Sequence, residues 1–267
     1  MSRNASRVNQ KETLPTSEQS LSYSNPTTHV PLPSGGKFYP PEHPLFETDT
    51  VEVKQMTTRE EEILTSTALI QKGLMVDRLV KSVLIDKSIE PKSLVIGDKN
   101  AILVALRVDA YGPEYGVEVN CPACGTANTE EIDLSSLKNK NSEVEATNGV
   151  YTFELPRTGA TIELRPLNGH DEEFLAEVNK KASKYNLQTG QLVNQYKRMV
   201  VSVNGETDPS FIEDFLGKMP AYDSRLLRKK YKELAPDVDM SFNFQCDMCG
   251  HESGLEVPIT AKFFWTD

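Results

Sequence analysis

Two short stretches far apart in the chain, VNCPACGTAN and FQCDMCGHES, constrain its fold more than any other feature. Each contains Cys-x-x-Cys-Gly, and Cys121, Cys124, Cys246 and Cys249 are the only cysteines among 267 residues. Two thiolates three positions apart can ligate one metal ion when the chain between them turns tightly. A glycine after the second supplies the positive φ that such a turn needs, and Gly125 and Gly250 hold that position. The flanks alternate in the manner of half-buried strands: Tyr115, Val117 and Val119 before the first pair, Phe242 and Phe244 before the second, Leu255 and Val257 after it. The expectation is a thiol pair at the tip of each of two β-hairpins, with four sulfurs enclosing a structural Zn2+. Four thiolates leave no open position for a catalytic water.

The long separation of Cys124 from Cys246 is not prohibitive. Loop closure is logarithmic in length, so lengthening a connection from ~20 to ~120 residues adds roughly 1.5 kcal/mol. Structural zinc contributes about 10–16 kcal/mol in small zinc-binding peptides. The intervening segment must then fold by itself and bring its ends together. Disulfides are the weaker reading, because the N-terminus MSRNASRVNQ has no apolar signal-like core directing the chain to an oxidising compartment. His251 is a rival ligand to Cys249, but the Cys-x-x-Cys geometry already supplies both sulfurs.

With 38% hydrophobic residues the chain has material for a substantial core, and no run approaches the ~18 apolar residues of a membrane span. A formal charge of -10, from 39 acidic against 29 basic side chains, opposes docking on a phosphate backbone and favours protein partners.

Residues 1–30 are polar and read as a flexible arm. In PLPSGGKFYPPEHPLF, covering most of residues 31–50, prolines interleave with Leu32, Phe38, Tyr39, Leu45 and Phe46. This reads as an extended strap whose aromatics lie on the chain's own surface or on another subunit. A helical unit follows over 51–112. Val51 to Gln55 forms a short strand; Thr57 or Thr58 caps a helix with Glu60 or Glu61 three residues on; Gly73 interrupts. Val76, Leu79, Val80, Val83 and Leu84 mark a second, amphipathic helix. Asp98 caps a third, whose Ala101 to Leu106 are apolar nearly all round and which Lys99, Asn100 and Arg107 interrupt. GDKN matches no phosphate-binding pattern, so it reads as a capping turn.

The polar stretch LSSLKNKNSEVEATNG leads to an inserted unit over 150–237. Tyr151, Phe153 and Leu155, then Ile162 and Leu164, alternate as a hairpin. Four helical patterns follow: one opened by Asn168 or His170 with Phe174, Leu175, Val178 and Ala182 on a face; one with Leu192, Val193, Tyr196, Met199 and Val200; a short one behind Asp208-Pro209; and one from Pro220 to Pro236. His170, Asp171, Glu172 and Glu173 are read as the acidic first turn of a helix rather than catalytic groups. His251-Glu252 lacks the second histidine of HExxH. The basic run RLLRKKYK, Arg225 to Lys232, reads as a solvated helix face. At the C-terminus, in an aromatic tail over 261–267, Phe263, Phe264 and Trp265 either fold back on the core or fill a partner's pocket. With Phe38 and Tyr39 they are the candidate partner-binding residues.

Four segments together, LPSGGKFYP, TTREEEILTS, IGDKNAILVALRVDAYG and the CPACG turn, resemble the baseplate hub and hub-assembly proteins of T-even-type contractile-tailed bacteriophages. The resemblance spans most of residues 32–125, and the helix-ribbon ending with aromatics is similar too. It implies a non-enzymatic protein of the viral tail, active in the host cytoplasm during assembly, with other hub proteins or the tape-measure protein as partners. The expected fold is α+β: an N-terminal helical unit, a split four-Cys zinc ribbon over 113–132 and 238–260, and a mixed β-hairpin and helical insertion between its halves. The principal rival is a zinc-ribbon accessory factor binding nucleic acid or a polymerase. Against it, the hairpin segments carry Glu118, Glu130, Glu131, Asp133, Glu252 and Glu256 with no Lys or Arg.

Overall fold

The computed structural model describes residues 25–140, 146–185, 190–257, 259 and 261–264. Among them are eight α-helices and a set of small antiparallel sheets, an α+β architecture. The chain enters through β1 (Thr27–Pro31), which pairs antiparallel with β2 (Thr50–Lys54) in a register that sets Val30 opposite Val51. Thr27 to Val30, expected within a flexible arm, are therefore strand; the rest of that expectation, residues 1–24, lies outside the described residues. Period-two patterning could not expose β1, because Val30 is its one buried side chain and its pairing partner lies beyond the strap.

The strap closes this long hairpin and lies on the chain's own core, with Leu32, Tyr39 and Leu45 all buried. It is fastened to one carboxylate. Asp98 accepts the Ser34 amide (2.9 Å), the Ser34 hydroxyl (2.5 Å) and the Tyr39 hydroxyl (2.6 Å), while the Tyr39 oxygen accepts the Val95 amide (3.1 Å). Asp98 was expected to cap its helix; instead it is fully buried inside the first turn and reaches sideways to the strap. Burial pushes its carboxyl above the usual range, against the opposing pull of the Ser34 and Tyr39 hydrogen bonds.

Helix α1 (Thr58–Thr65) starts with the expected capping box: Glu60 accepts both the amide and the hydroxyl of Thr57. Glu60 does more than cap. Its buried carboxylate also receives Lys54 (2.8 Å) from β2 and Ser82 (2.5 Å). A short α2 (Thr67–Lys72) ends at Gly73, whose φ of 68° closes the turn. Amphipathic α3 (Met75–Val83) buries Leu79, Val80 and Val83 completely.

Then comes α4 (Ile96–Tyr111), buried from Gly97 through Arg107 on almost every side. The polar residues that break its apolar run are its attachments. Lys99 pairs with Asp77 on α3, and Asn100 donates to Asp237. Arg107, fully buried, donates to the carbonyls of Phe263, Gly112 and Glu114. Gly97 is required by proximity: a Cβ there would stand 2.0 Å from the carbonyl oxygen of Pro236.

Both cysteine hairpins form. Strands β3 (Glu114–Asn120) and β4 (Ala127–Asp133) pair in register. The stretch expected as a connection contributes β5 (Asn139–Lys140), whose antiparallel partner lies where the insertion returns. Within the insertion, β6 (Tyr151–Glu154) and β7 (Thr161–Leu164) form the expected hairpin. Helix α5 (Gly169–Tyr185) opens with reciprocal hydrogen bonds between Asn168 and Asp171. Helix α6 (Gln191–Met199) stops one residue short of expectation. Val200 begins β8 (Val200–Val203), the third strand of the β6-β7 sheet. A β-branched Val-Val-Ser-Val run belongs in a strand once an open sheet edge is available, and that edge comes from residues far upstream.

Asp208 caps α7 (Pro209–Lys218) by accepting the Phe211 amide (2.8 Å), and α8 (Ala221–Leu234) follows Pro220. The chain then passes through β9 (Asp237–Val238), the partner of β5, into β10 (Ser241–Gln245) and β11 (Glu252–Glu256). Two main cores result. One joins strap, α1 to α4 and the bases of both cysteine hairpins; the other gathers β6 to β8 with α6 to α8.

Two outcomes follow. Gly97→Ala forces a helix shift or displaces Pro236, so thermal unfolding should show a loss of about 1–3 kcal/mol. Glu60 has its carboxyl lowered to about 2: burial acts to raise it, and the Lys54, Ser82 and Thr57 hydrogen bonds outweigh that. Because the folded value lies below the ordinary 4.5, its contribution is present above that pH and is lost as pH falls towards 2. The melting-temperature gap between the wild type and Glu60→Gln should therefore be widest near neutrality and close through that window; a gap independent of pH would refute it.

Candidate metal centre

The two Cys-x-x-Cys-Gly elements fold into the same turn. In the first, the Cys121 amide donates to the Thr126 carbonyl and the Gly125 amide to the Cys121 carbonyl, both at 2.9 Å. In the second, the Cys246 amide donates to His251 and the Gly250 amide to Cys246, again at 2.9 Å. Gly125 and Gly250 have φ of 74° and 68°, and a Cβ at either would meet nothing within 4 Å. Conformation, not space, is what demands glycine at both.

These turns bring together side chains that the sequence holds far apart. The four Sγ atoms all lie within 4.8 Å of one another, and the cluster includes no imidazole, so His251 contributes its carbonyl to the turn rather than a ligand. Cys121 Sγ lies 3.7 Å from Cys249 Sγ, and Cys124 Sγ lies 3.7 Å from Cys246 Sγ. A disulfide needs about 2.05 Å, so these are separate thiols. Metal–sulfur bonds of ~2.3 Å at tetrahedral angles place neighbouring sulfurs about 3.8 Å apart. The observed spacing is that of a tetrahedral edge, and the four cysteines could hold a metal ion.

Each turn presents one buried and one exposed sulfur: Cys121 and Cys246 face inward, Cys124 and Cys249 outward. Beneath them Phe244 is buried, with Val119, Phe242 and Leu255 packed around it. Asn128, buried on β4, was not singled out by the sequence reading. Its side-chain carbonyl accepts the Asp247 amide (3.1 Å), and its amide donates to the Thr126 carbonyl (2.8 Å) and lies 3.8 Å from Cys246 Sγ. It therefore locks one cysteine turn to the other. The available signal was a polar residue at an inward-facing strand position, opposite Val119.

The electrostatics of the sulfurs diverge. Cys124 is drawn down to about 6, chiefly by the Thr126 hydroxyl beside it. Cys249 is pushed up to about 12: the His251 amide acts downward on it, but the neighbouring Cys124, Cys246 and Cys121 sulfurs, with some desolvation, prevail. Four sulfurs this close cannot all carry negative charge unless a cation lies among them, which is the condition a bound metal ion satisfies.

The family described as T4 bacteriophage base plate protein matches this chain over residues 25–265. The chain belongs to that family. No curated protein and no solved structure shows significant similarity to it. The match covers the strap, α4, both cysteine hairpins and the insertion of this baseplate protein. No helix among the described residues is long and apolar enough to cross a membrane.

The aromatics expected to meet partners are placed otherwise. Tyr39 is buried under the strap, and Phe38 packs against Tyr151 with ring centroids 5.1 Å apart. Phe263 and Phe264 are fully buried; Phe263 lies 5.2 Å from the Tyr115 ring, and its carbonyl is held by Arg107. Tyr39, Phe263 and Phe264 spend their apolar surfaces on this chain's own core, the fold-back alternative, while Phe38 stays half-buried. Trp265 lies outside the described residues.

Metal analysis of the purified chain should return about one ion per chain, and a strong chelator should lower the melting temperature. Cys246→Ser should lose both the ion and the chelator response, leaving a less stable protein. A metal-free chain with an unchanged melt would contradict the arrangement.

Proposed function

We propose that this baseplate protein is a non-enzymatic baseplate hub subunit, or an assembly protein of the hub, working through protein–protein contacts and carrying a structural zinc. The carrying observation is a four-sulfur cluster of tetrahedral dimensions in a chain that matches the base plate family from residue 25 to 265. Zinc suits an all-thiolate tetrahedral site: it is borderline-soft, has no redox chemistry and imposes no geometry of its own. Cys121, Cys124, Cys246 and Cys249 would hold it, and bound there it would supply a mechanical cross-link between the two hairpins that flank the insertion.

The same geometry argues against a nucleic-acid accessory factor. Glu118, Glu131, Asp133, Glu252 and Glu256 are exposed on the hairpins, and the net charge is -10. A phosphate backbone would meet repulsion there. The partners consistent with the family are other hub proteins or the tape-measure protein, met in the host cytoplasm before the baseplate closes.

A phage in which this chain is interrupted should fill heads but lack complete baseplates, visible by electron microscopy of the lysate. Mass spectrometry of purified wild-type tails separates the two forms of the proposal. Presence of the chain identifies a permanent subunit, and absence together with the assembly defect identifies a helper. Normal tails in the interrupted phage would overturn the hub reading.

A further inference from the structure

Two oppositely charged surfaces of this chain are incompletely neutralised. The first is a stripe on α8. Arg225, Arg228, Lys229 and Lys232 recur at helical spacing, are all exposed, and line an open groove with Lys140 and one carboxylate, Glu233. The charge there is only partly compensated. Lys229 faces Glu233 at 3.7 Å and Lys232 faces Glu256 at 2.5 Å. Among the described residues Arg225 and Arg228 have no ion-pair or hydrogen-bond partner. The chain's net charge is -10, yet these two guanidiniums on one groove are paired with no carboxylate among the described residues.

The second surface is the outer face of the β3-β4 hairpin. Its inner face buries Tyr115, Val117, Asn128 and Ile132; its outer face exposes Glu114, Glu118, Glu131 and Asp133. Glu114 and Asp133 stand directly opposite each other across the ladder, an arrangement of like charges that weakens a two-stranded sheet. Asp133 accepts from the Ser135 amide and hydroxyl, but no cation pairs with any of the four among the described residues.

We infer that the basic groove of α8 in one copy receives the acidic face of the β3-β4 hairpin of a second copy. Charge complementarity selects this occupant. A second copy satisfies both surfaces at once, relieves the Glu114–Asp133 opposition, and presents carboxylates to guanidinium forks suited to them. A nucleic acid would satisfy only the groove while meeting the acidic remainder of the chain. Groove and hairpin face are different patches, so the contact is head-to-tail. Such contacts generate rings where the rotation closes and open chains where it does not. The inference rests on charge placement and is independent of the zinc and hub readings.

The test is sedimentation of the full chain over a range of concentrations and salt. At low salt the wild type should form reversible oligomers, and association should weaken by at least about tenfold in high salt. Arg225→Glu/Arg228→Glu should weaken self-association by about tenfold or more, and so should Glu118→Lys/Glu131→Lys. Both variants should keep the wild-type melt and metal content. Mixing the two should restore association, because each variant then offers the charge the other has lost. A wild type that stays monomeric at low salt, variants that associate unchanged, or a mixture that fails to recover would each overturn the inference. So would a monomeric wild type that binds DNA through Arg225 and Arg228.

Discussion

Burial of α4 is the constraint on which the remaining architecture depends. A helix enclosed on nearly every side cannot leave polar groups without partners, since an unsatisfied buried donor or acceptor costs roughly 1–3 kcal/mol and an unpaired charge more. Each polar side chain on α4 therefore seizes a different segment of the chain. Asp98 holds the strap, Lys99 reaches α3 and Glu172 on α5, Asn100 takes the returning strand β9, and Arg107 gathers the start of β3 and the C-terminal Phe263. Segments separated by well over a hundred positions are thereby referred to one rigid axis.

The same axis explains how a long insertion can separate the two halves of a four-sulfur cluster. Entry and exit of the insertion meet in the short β5-β9 ladder, beside the point where Pro236 crosses Gly97. The insertion has its own apolar core, so its length carries only the slowly growing entropy of loop closure. With those ends held, β3-β4 and β10-β11 emerge side by side, and Asn128 joins their turns. A metal ion binding there would find its ligands already gathered.

Local features were legible where local chemistry decides them. The Thr57-Glu60 capping box, the Asp208-Pro209 helix start and the two Cys-x-x-Cys-Gly turns each need only a few contiguous residues, and each appears where the pattern places it. Features that depend on a distant partner were not. Strand β1 has one buried side chain and is a strand only because β2 pairs with it; Val200 leaves the helical pattern because β7 offers an edge. Asp98 looks like a cap because caps are what isolated acids near helix starts usually do. Only the strap folding over it converts it to a buried anchor.

The sequence by itself determined the four candidate ligands, the hairpins that carry them and the acidic character of the hairpin faces, because spacing and alternation are properties of contiguous chain. The tertiary structure alone decided that four sulfurs converge to within 4.8 Å of one another across the insertion, two pairs of them at 3.7 Å. It also turned Tyr39, Phe263 and Phe264 inward, because apolar rings take the nearest surface that excludes water and only the folded chain specifies whose surface that is.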